Sequence, residues 1–141
     1  MKRTASAAWS GGLKDGTGSI TTQSGVLSGT QYGFKTRFEN GPGTNPEELI
    51  AAAHAGCFTM ALSAQLGEAG LTAKSLKTSA AVTLDKLADG FAITAVHLDL
   101  TAEIPGAAQK QFEEIAAKAK AGCPVSKLLN AKITLDTKLV A

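Results

Sequence analysis

Apolar and polar positions change period several times along this chain of 141 residues. Between Tyr32 and Glu39 they alternate, with Phe34, Thr36 and Phe38 on one side and Lys35, Arg37 and Glu39 on the other, which predicts a half-buried strand. Alternation returns at Val96, Leu98, Leu100, Ala102 and Ile104, set against His97, Asp99, Thr101 and Glu103. Phe91 and Ile93 have the opposite parity, which calls either for a bulge near Thr94 or Ala95 or for burial on both faces. These residues form the second arm of a hairpin over 75–104 that turns at Asp89-Gly90, with His97 on its solvated face. A first hairpin is predicted around Asp15-Gly16, between Ala5–Ser10 and Gly18–Thr22. A last strand alternates Ile133, Leu135 and Leu139 with Lys132, Thr134, Asp136 and Lys138.

Helical signals separate these strands. After the Gly-Pro-Gly-Thr-Asn loop at 41–45, Asn45-Pro46-Glu47-Glu48 supplies a capping side chain, Pro at the first helical position and acids in the first turn. The helix is expected to run from Pro46 to about Ala69, where Gly70 stops it, and it holds no formal charge between Leu49 and Leu66. That length suits a membrane span. Its Ala-rich composition, two Gly, His54, Thr59, Ser63 and Gln65, without a second span or an aromatic belt, predict a buried core helix instead. Past the Pro105-Gly106 break, Phe112, Ile115, Ala116 and Ala119 follow helical spacing over Ala107–Ala121, and Gly122 ends that helix. Cys123-Pro124 opens a short helical turn carrying Val125, Leu128 and Leu129. The pattern is that of an α+β fold in one domain spanning 1–141, with no linker or low-complexity segment. Ala-Gly-Cys occurs twice, at 55–57 and 121–123, but the flanks diverge at once and no repeat follows.

Composition narrows the function. Fourteen Lys plus Arg against twelve Asp plus Glu give a net charge of +2, and without a basic block no nucleic-acid partner is expected. Apolar residues at 44% and charged residues at 18% allow a real core and exclude a disordered chain. Met1-Lys2-Arg3-Thr4 is charged but no apolar run follows, so a cytoplasmic address is expected, with no membrane partner. A bridge between Cys57 and Cys123 is then better read as transient and chemical than as a structural staple.

Few residues suit chemistry. The glycines from Gly11 to Gly29 lack both the Lys of a phosphate loop and a strand-to-helix glycine triplet, and no Gly-x-Ser-x-Gly elbow occurs. His54 and Cys57, three apart on one helix, could join Cys123 and an acid around a metal, but a second pair of ligands is missing and His54 reads as a hydrogen-bonded core residue. Cys57 by position alone is an inert thiol with a raised pKa. Activating it requires a cation, and the helix N-terminus is about three turns away, beyond the reach of its dipole. Arg37 is the natural candidate, because the other Arg is Arg3 at the N-terminus and a guanidinium stays charged when partly buried.

Four stretches carry a resemblance: Tyr32-Gly33-Phe34 with Arg37-Phe38; Thr44-Asn45-Pro46-Glu47-Glu48-Leu49; Ala52-Ala53-His54-Ala55-Gly56-Cys57-Phe58; and Ala119-Lys120-Ala121-Gly122-Cys123-Pro124-Val125-Ser126. In this order, over nearly the whole chain, they resemble the OsmC/Ohr family, nearer the osmotically inducible branch. Gly56, where an Ala is familiar, is a small variation. The resemblance implies an OsmC-like fold, with antiparallel sheets around a long buried central helix, and an intertwined homodimer. It implies a thiol-dependent peroxidase that reduces organic hydroperoxides, and hydrogen peroxide less efficiently, in oxidative or osmotic stress defence. Matched positions make Cys57 the peroxidatic thiolate and Cys123 its resolving partner. Arg37 would lower the thiolate pKa and hold the peroxide, and Glu47 would orient Arg37. An external dithiol would reduce the disulfide, and no cofactor or metal is implied.

Glu47 and Cys57 are ten residues apart on one helix, about 15 Å along its axis and near a right angle around it. If Glu47 supports the Cys57 site, it is expected to come, with Arg37, from a partner subunit packed antiparallel. Two other functions remain: a redox-sensing or stress-binding protein that uses the same Cys pair without turnover, and a metal-binding module.

Overall fold

The computed structural model describes residues 1–140, and the chain forms two compact units, Met1–Leu49 and the chain from Ile50 onward. In the first unit, β1 (Ala5–Ser10), β2 (Thr17–Thr22) and β3 (Thr30–Tyr32) form an antiparallel sheet in sequence order. The expected hairpin pairs Ala5 with Thr22 through to Ser10 with Thr17. Trp9 and Tyr32 pack edge to face across this sheet, with ring centroids 5.6 Å apart.

The strand expected at Tyr32–Glu39 is corrected. Only Thr30–Tyr32 is extended, and α1 (Phe34–Phe38) follows at once. Local contacts outweigh the alternating pattern here. Thr36 Oγ1 accepts from the Gly33 amide at 2.8 Å and donates to the Gly33 carbonyl at 2.9 Å, closing the first turn. The rings of Phe34 and Phe38, four residues apart, pack at a tilt with centroids 5.0 Å apart. Gly43 follows in a left-handed conformation, with φ +123°, and a Cβ there would lie 2.3 Å from the Gln31 carbonyl oxygen, so only glycine fits. This turn delivers the chain to α2 (Pro46–Glu68), where Asn45 Oδ1 accepts from the Glu48 amide at 2.8 Å.

In the second unit, β4 (Ser75–Leu87), β5 (Gly90–Glu103) and β6 (Lys132–Val140) form one sheet. The predicted bulge is present: Thr83 pairs with Ala95 and Leu84 with Ile93, so Thr94 is the extra residue that reconciles the two parities. The expected antiparallel pairing holds from β1 to β3 and between β4 and β5, and it is corrected at β6, which pairs with β5 in parallel. A parallel neighbour needs a long crossover, and α3 (Gln109–Gly122) with α4 (Pro124–Leu128) supplies it. Phe58, Leu62 and Leu66 of α2 join Val96, Leu98, Leu100, Ala102 and Ile104 of the β5 arm and Phe112, Ala116, Ala119 and Cys123 in one buried cluster. Each large side chain so buried contributes about 1.5–3 kcal/mol.

Within this unit α2 is buried along one stripe only, at His54, Phe58, Leu62 and Leu66, and Met60 is 78% exposed. The expectation of a buried helix therefore holds for that stripe and not for the helix all round. By length and composition alone α2 could cross a membrane, with a mean hydropathy of 1.4 over 18 residues.

Candidate active site

The four candidate residues come together as two pairs, one in each compact unit. In the first unit the turn at Gly33 fixes α1, and Asn45 Nδ2 donates to the Thr36 carbonyl at 2.8 Å, tying the start of α2 to it. Arg37 on α1 then meets Glu47 in the first turn of α2. Its Nε and Nη2 donate to Glu47 Oε1 at 3.1 and 2.8 Å. The Glu47 side chain is 11% exposed and that of Arg37 39%, and a carboxylate so enclosed needs the guanidinium to offset its lost hydration. Glu47 Oε2 is buried and has no hydrogen-bond partner among the described residues. Beside Arg37 lies a hollow of about 200 Å³ lined by Trp9, Leu13, Tyr32, Phe34 and Phe38. Arg37 thus has an acid on one side and aromatic surface on another. It was expected on the solvated face of a strand, and the turn at Gly33 and Thr36 places it on a helix instead.

In the second unit Cys57 projects from α2 one turn after His54 and packs, partly exposed, against the buried cluster. Cys123 closes the buried face of α3 that begins with Phe112, Ala116 and Ala119, and it is fully buried. Both thiols are free, and each acts on the pKa of the other. Burial pushes the Cys57 thiol up, as its position in the sequence implied; donation to Cys123 pushes it further, and the Val125 amide partly offsets this. Burial also acts to raise Cys123, but hydrogen bonds from Cys57, from the Ser126 amide and hydroxyl, and from the Val125 amide outweigh it and bring this thiol down. Pro124 has no N–H, so Val125 and Ser126 offer the first amides of the short α4. Among the described residues no cation figures among the groups acting on Cys57.

His54 is fully buried, its Nε2 lies 2.7 Å from Ser126 Oγ, and burial lowers its pKa, so it is neutral near pH 7. Its reading as a hydrogen-bonded core residue agrees with this. Ser126 was not singled out from the sequence; the usable signal was the Ser three residues after Cys-Pro. Among the described residues the cluster suited to a metal is His97, Asp99 and Asp136, on strands β5 and β6, and it includes neither His54 nor a cysteine. The metal reading of His54 and Cys57 thus gains no support.

Comparison with known proteins gives the family of the chain. Residues 39–138 match the family model described as OsmC-like protein. The chain is 56% identical over 133 residues to peroxiredoxin OsmC of Escherichia coli strain K12, covering 94% of this chain and 93% of that protein. It is 29% identical over 100 residues to the organic hydroperoxide resistance protein of Xanthomonas axonopodis pv. citri, covering 70% of this chain and 68% of that one. The crystal structure of the organic hydroperoxide resistance protein OhrB of Bacillus subtilis superposes with a TM-score of 0.70 at 27% identity, over 96% of this chain and 98% of that one. From the family match over most of its length, and from an identity twice as high to one relative as to the other, the chain belongs to the OsmC-like protein family, on its OsmC side.

Proposed function

We propose that this chain, as a single OsmC-like domain over 1–141, is a thiol-dependent peroxidase that reduces organic hydroperoxides, and hydrogen peroxide less efficiently, in the cytoplasm under oxidative or osmotic stress. The observation that carries this is the pair of free thiols, Cys57 and Cys123, brought together on separate elements of one core and acting on each other's pKa. The Cys57 thiolate attacks the peroxide: an S–O bond forms, the O–O bond breaks, and the departing alkoxide takes a proton and leaves as alcohol. The Cys123 sulfur then attacks the Cys57 sulfenic acid. An S–S bond forms, the S–O bond breaks, and the released hydroxide with the Cys123 thiol proton gives water. An external dithiol reduces the bridge, and no cofactor enters the cycle.

This chemistry requires an anionic Cys57, whereas burial and Cys123 favour its thiol. The cation in this proposal is Arg37, held by Glu47 and supplied by the partner subunit of a homodimer. Two observations support a second copy. Ten residues of helix separate Glu47 from Cys57, about 15 Å along the axis. The second unit leaves all but one stripe of an uncharged, apolar helix face uncovered, Met60 included. The aromatic hollow beside Arg37 would then take the organic part of the peroxide.

The test is multiple-turnover consumption of cumene hydroperoxide with a dithiol reductant. A peroxidase consumes many equivalents per subunit, and Cys57→Ser consumes none. Arrest after one equivalent in the presence of reductant would point instead to a redox sensor using the same two thiols.

A further inference from the structure

His54 takes no part in the cycle just described, yet it is fully buried one turn before Cys57. Its Nε2 is 2.7 Å from Ser126 Oγ, and its Nδ1 is buried without a partner among the described residues. A buried N–H without an acceptor costs more than a bare lone pair, so the proton belongs on Nε2, which donates to Ser126 Oγ. The Ser126 hydroxyl keeps its own hydrogen to give away. That hydroxyl is also among the groups that bring down the pKa of the Cys123 thiol, three residues earlier. Turned onto that sulfur, the hydroxyl completes a directed chain from His54 Nε2–H through Ser126 Oγ–H to Cys123 Sγ.

We infer that His54, acting through Ser126, is a positioning residue for the resolving half of the cycle: it turns the Ser126 hydroxyl hydrogen onto the Cys123 sulfur and so makes that sulfur the nucleophile in disulfide formation. The inference rests on the peroxidase reading and extends it to a step that Arg37 and Glu47 do not serve. Hydrogen bonds to a charged sulfur favour the thiolate, the species that attacks, and among the described residues no cation acts on Cys123 to do this work. Without the imidazole donor the Ser126 hydroxyl is free to rotate away. In the step itself the Cys57–Cys123 S–S bond forms, the Cys57 S–O bond breaks, and the leaving hydroxide takes up the proton that the Cys123 thiol gave up, forming water, so no further reactant is needed.

The test is a single turnover of the reduced full-length protein with one equivalent of cumene hydroperoxide and no reductant. Peroxide loss and disulfide appearance are followed separately by acid quench and thiol alkylation. His54→Leu and Ser126→Ala are each expected to slow disulfide appearance about tenfold relative to peroxide loss, the worth of one hydrogen bond to a charged group. Dimedone should then trap Cys57 as its sulfenic acid. His54→Gln, whose amide N–H can stand where Nε2–H stood, should recover most of the rate. The inference is overturned if disulfide appearance keeps pace with peroxide loss in Ser126→Ala, or if His54→Gln is as slow as His54→Leu. It is equally overturned if both steps fall together. A wild-type protein that consumes no peroxide would instead remove the peroxidase reading itself.

Discussion

Arg37 gives both Nε and Nη2 to a single oxygen of Glu47, at 3.1 and 2.8 Å, and leaves the other oxygen of that carboxylate buried without a partner among the described residues. The guanidinium is thus held by one edge, while its Nη1 makes no hydrogen bond to the described residues. An arginine anchored this way can present its remaining donors to sulfur or peroxide oxygen. Glu47→Gln keeps the shape and removes the charge. Turnover of cumene hydroperoxide is expected to fall between about tenfold and a hundredfold, the range set by one charge-assisted hydrogen bond. Arg37→Lys should not restore what Arg37→Ala loses, because an ammonium cannot reproduce the fork. Alkylation of Cys57 by iodoacetamide at neutral pH should slow in both Arg37 variants, and an unchanged rate would remove this residue from the Cys57 site.

If Arg37 and Glu47 serve the Cys57 of the other subunit, mixing two inactive proteins restores activity. Cys57→Ser and Arg37→Ala subunits, refolded together, form heterodimers in which one of the two sites is complete. Statistical mixing should recover about a quarter of wild-type turnover per subunit, since half of the dimers hold one working site of two. Recovery near zero, with heterodimers verified by tag pull-down, would place both residues in the same subunit as the cysteine they serve.

Burial lowers the His54 pKa below the ordinary histidine value of 6.5. The unfolded chain then binds this proton at a higher pH than the folded chain does. Stability is therefore whole above pH 6.5 and declines as pH falls from there towards the folded pKa, at up to about 1.4 kcal/mol per pH unit for this one group. Urea unfolding of the reduced protein between pH 7.5 and 5 should show that decline, and His54→Gln should remove part of it. Equal slopes in the two proteins would contradict a neutral buried imidazole.

Gly67 lies inside α2, and a Cβ built there meets nothing within 4 Å. Nothing in the structure requires glycine at this position. Gly67→Ala is expected to stabilise the protein by about 0.5–1 kcal/mol through the lower backbone entropy of its unfolded chain. Denaturant midpoints measure this directly. A loss of stability would mean that another surface, such as a second subunit, approaches the helix closely there.

Most elements were legible because their patterns were local. The parity change between Ile93 and Val96 announced the bulge at Thr94, and Asn45-Pro46 announced the start of α2. Two features were hidden for different reasons. The alternation from Phe34 to Phe38 reads as a strand, but five residues are too few for periodicity to compete with a Thr36 hydroxyl that bonds to Gly33 twice. The parallel pairing of β6 depends on where two helices return the chain, which no spacing within the strand encodes. Of the candidate site, Arg37, Glu47, Cys57 and Cys123 were named from motif likeness. The bond between His54 and Ser126 was not, because it joins residues 72 positions apart, neither of which has an unusual neighbour in sequence.

Cys57 and Cys123 lie on opposite sides of a long excursion of the chain that contains β4, β5 and α3. Oxidation would tie that excursion into a covalent ring and deprive the unfolded chain of much of its freedom, by about 4 kcal/mol in the loop-entropy description. The spent form of the protein would then resist heat and proteases better than the form ready for work. Each visit by a reductant would return activity and fragility together.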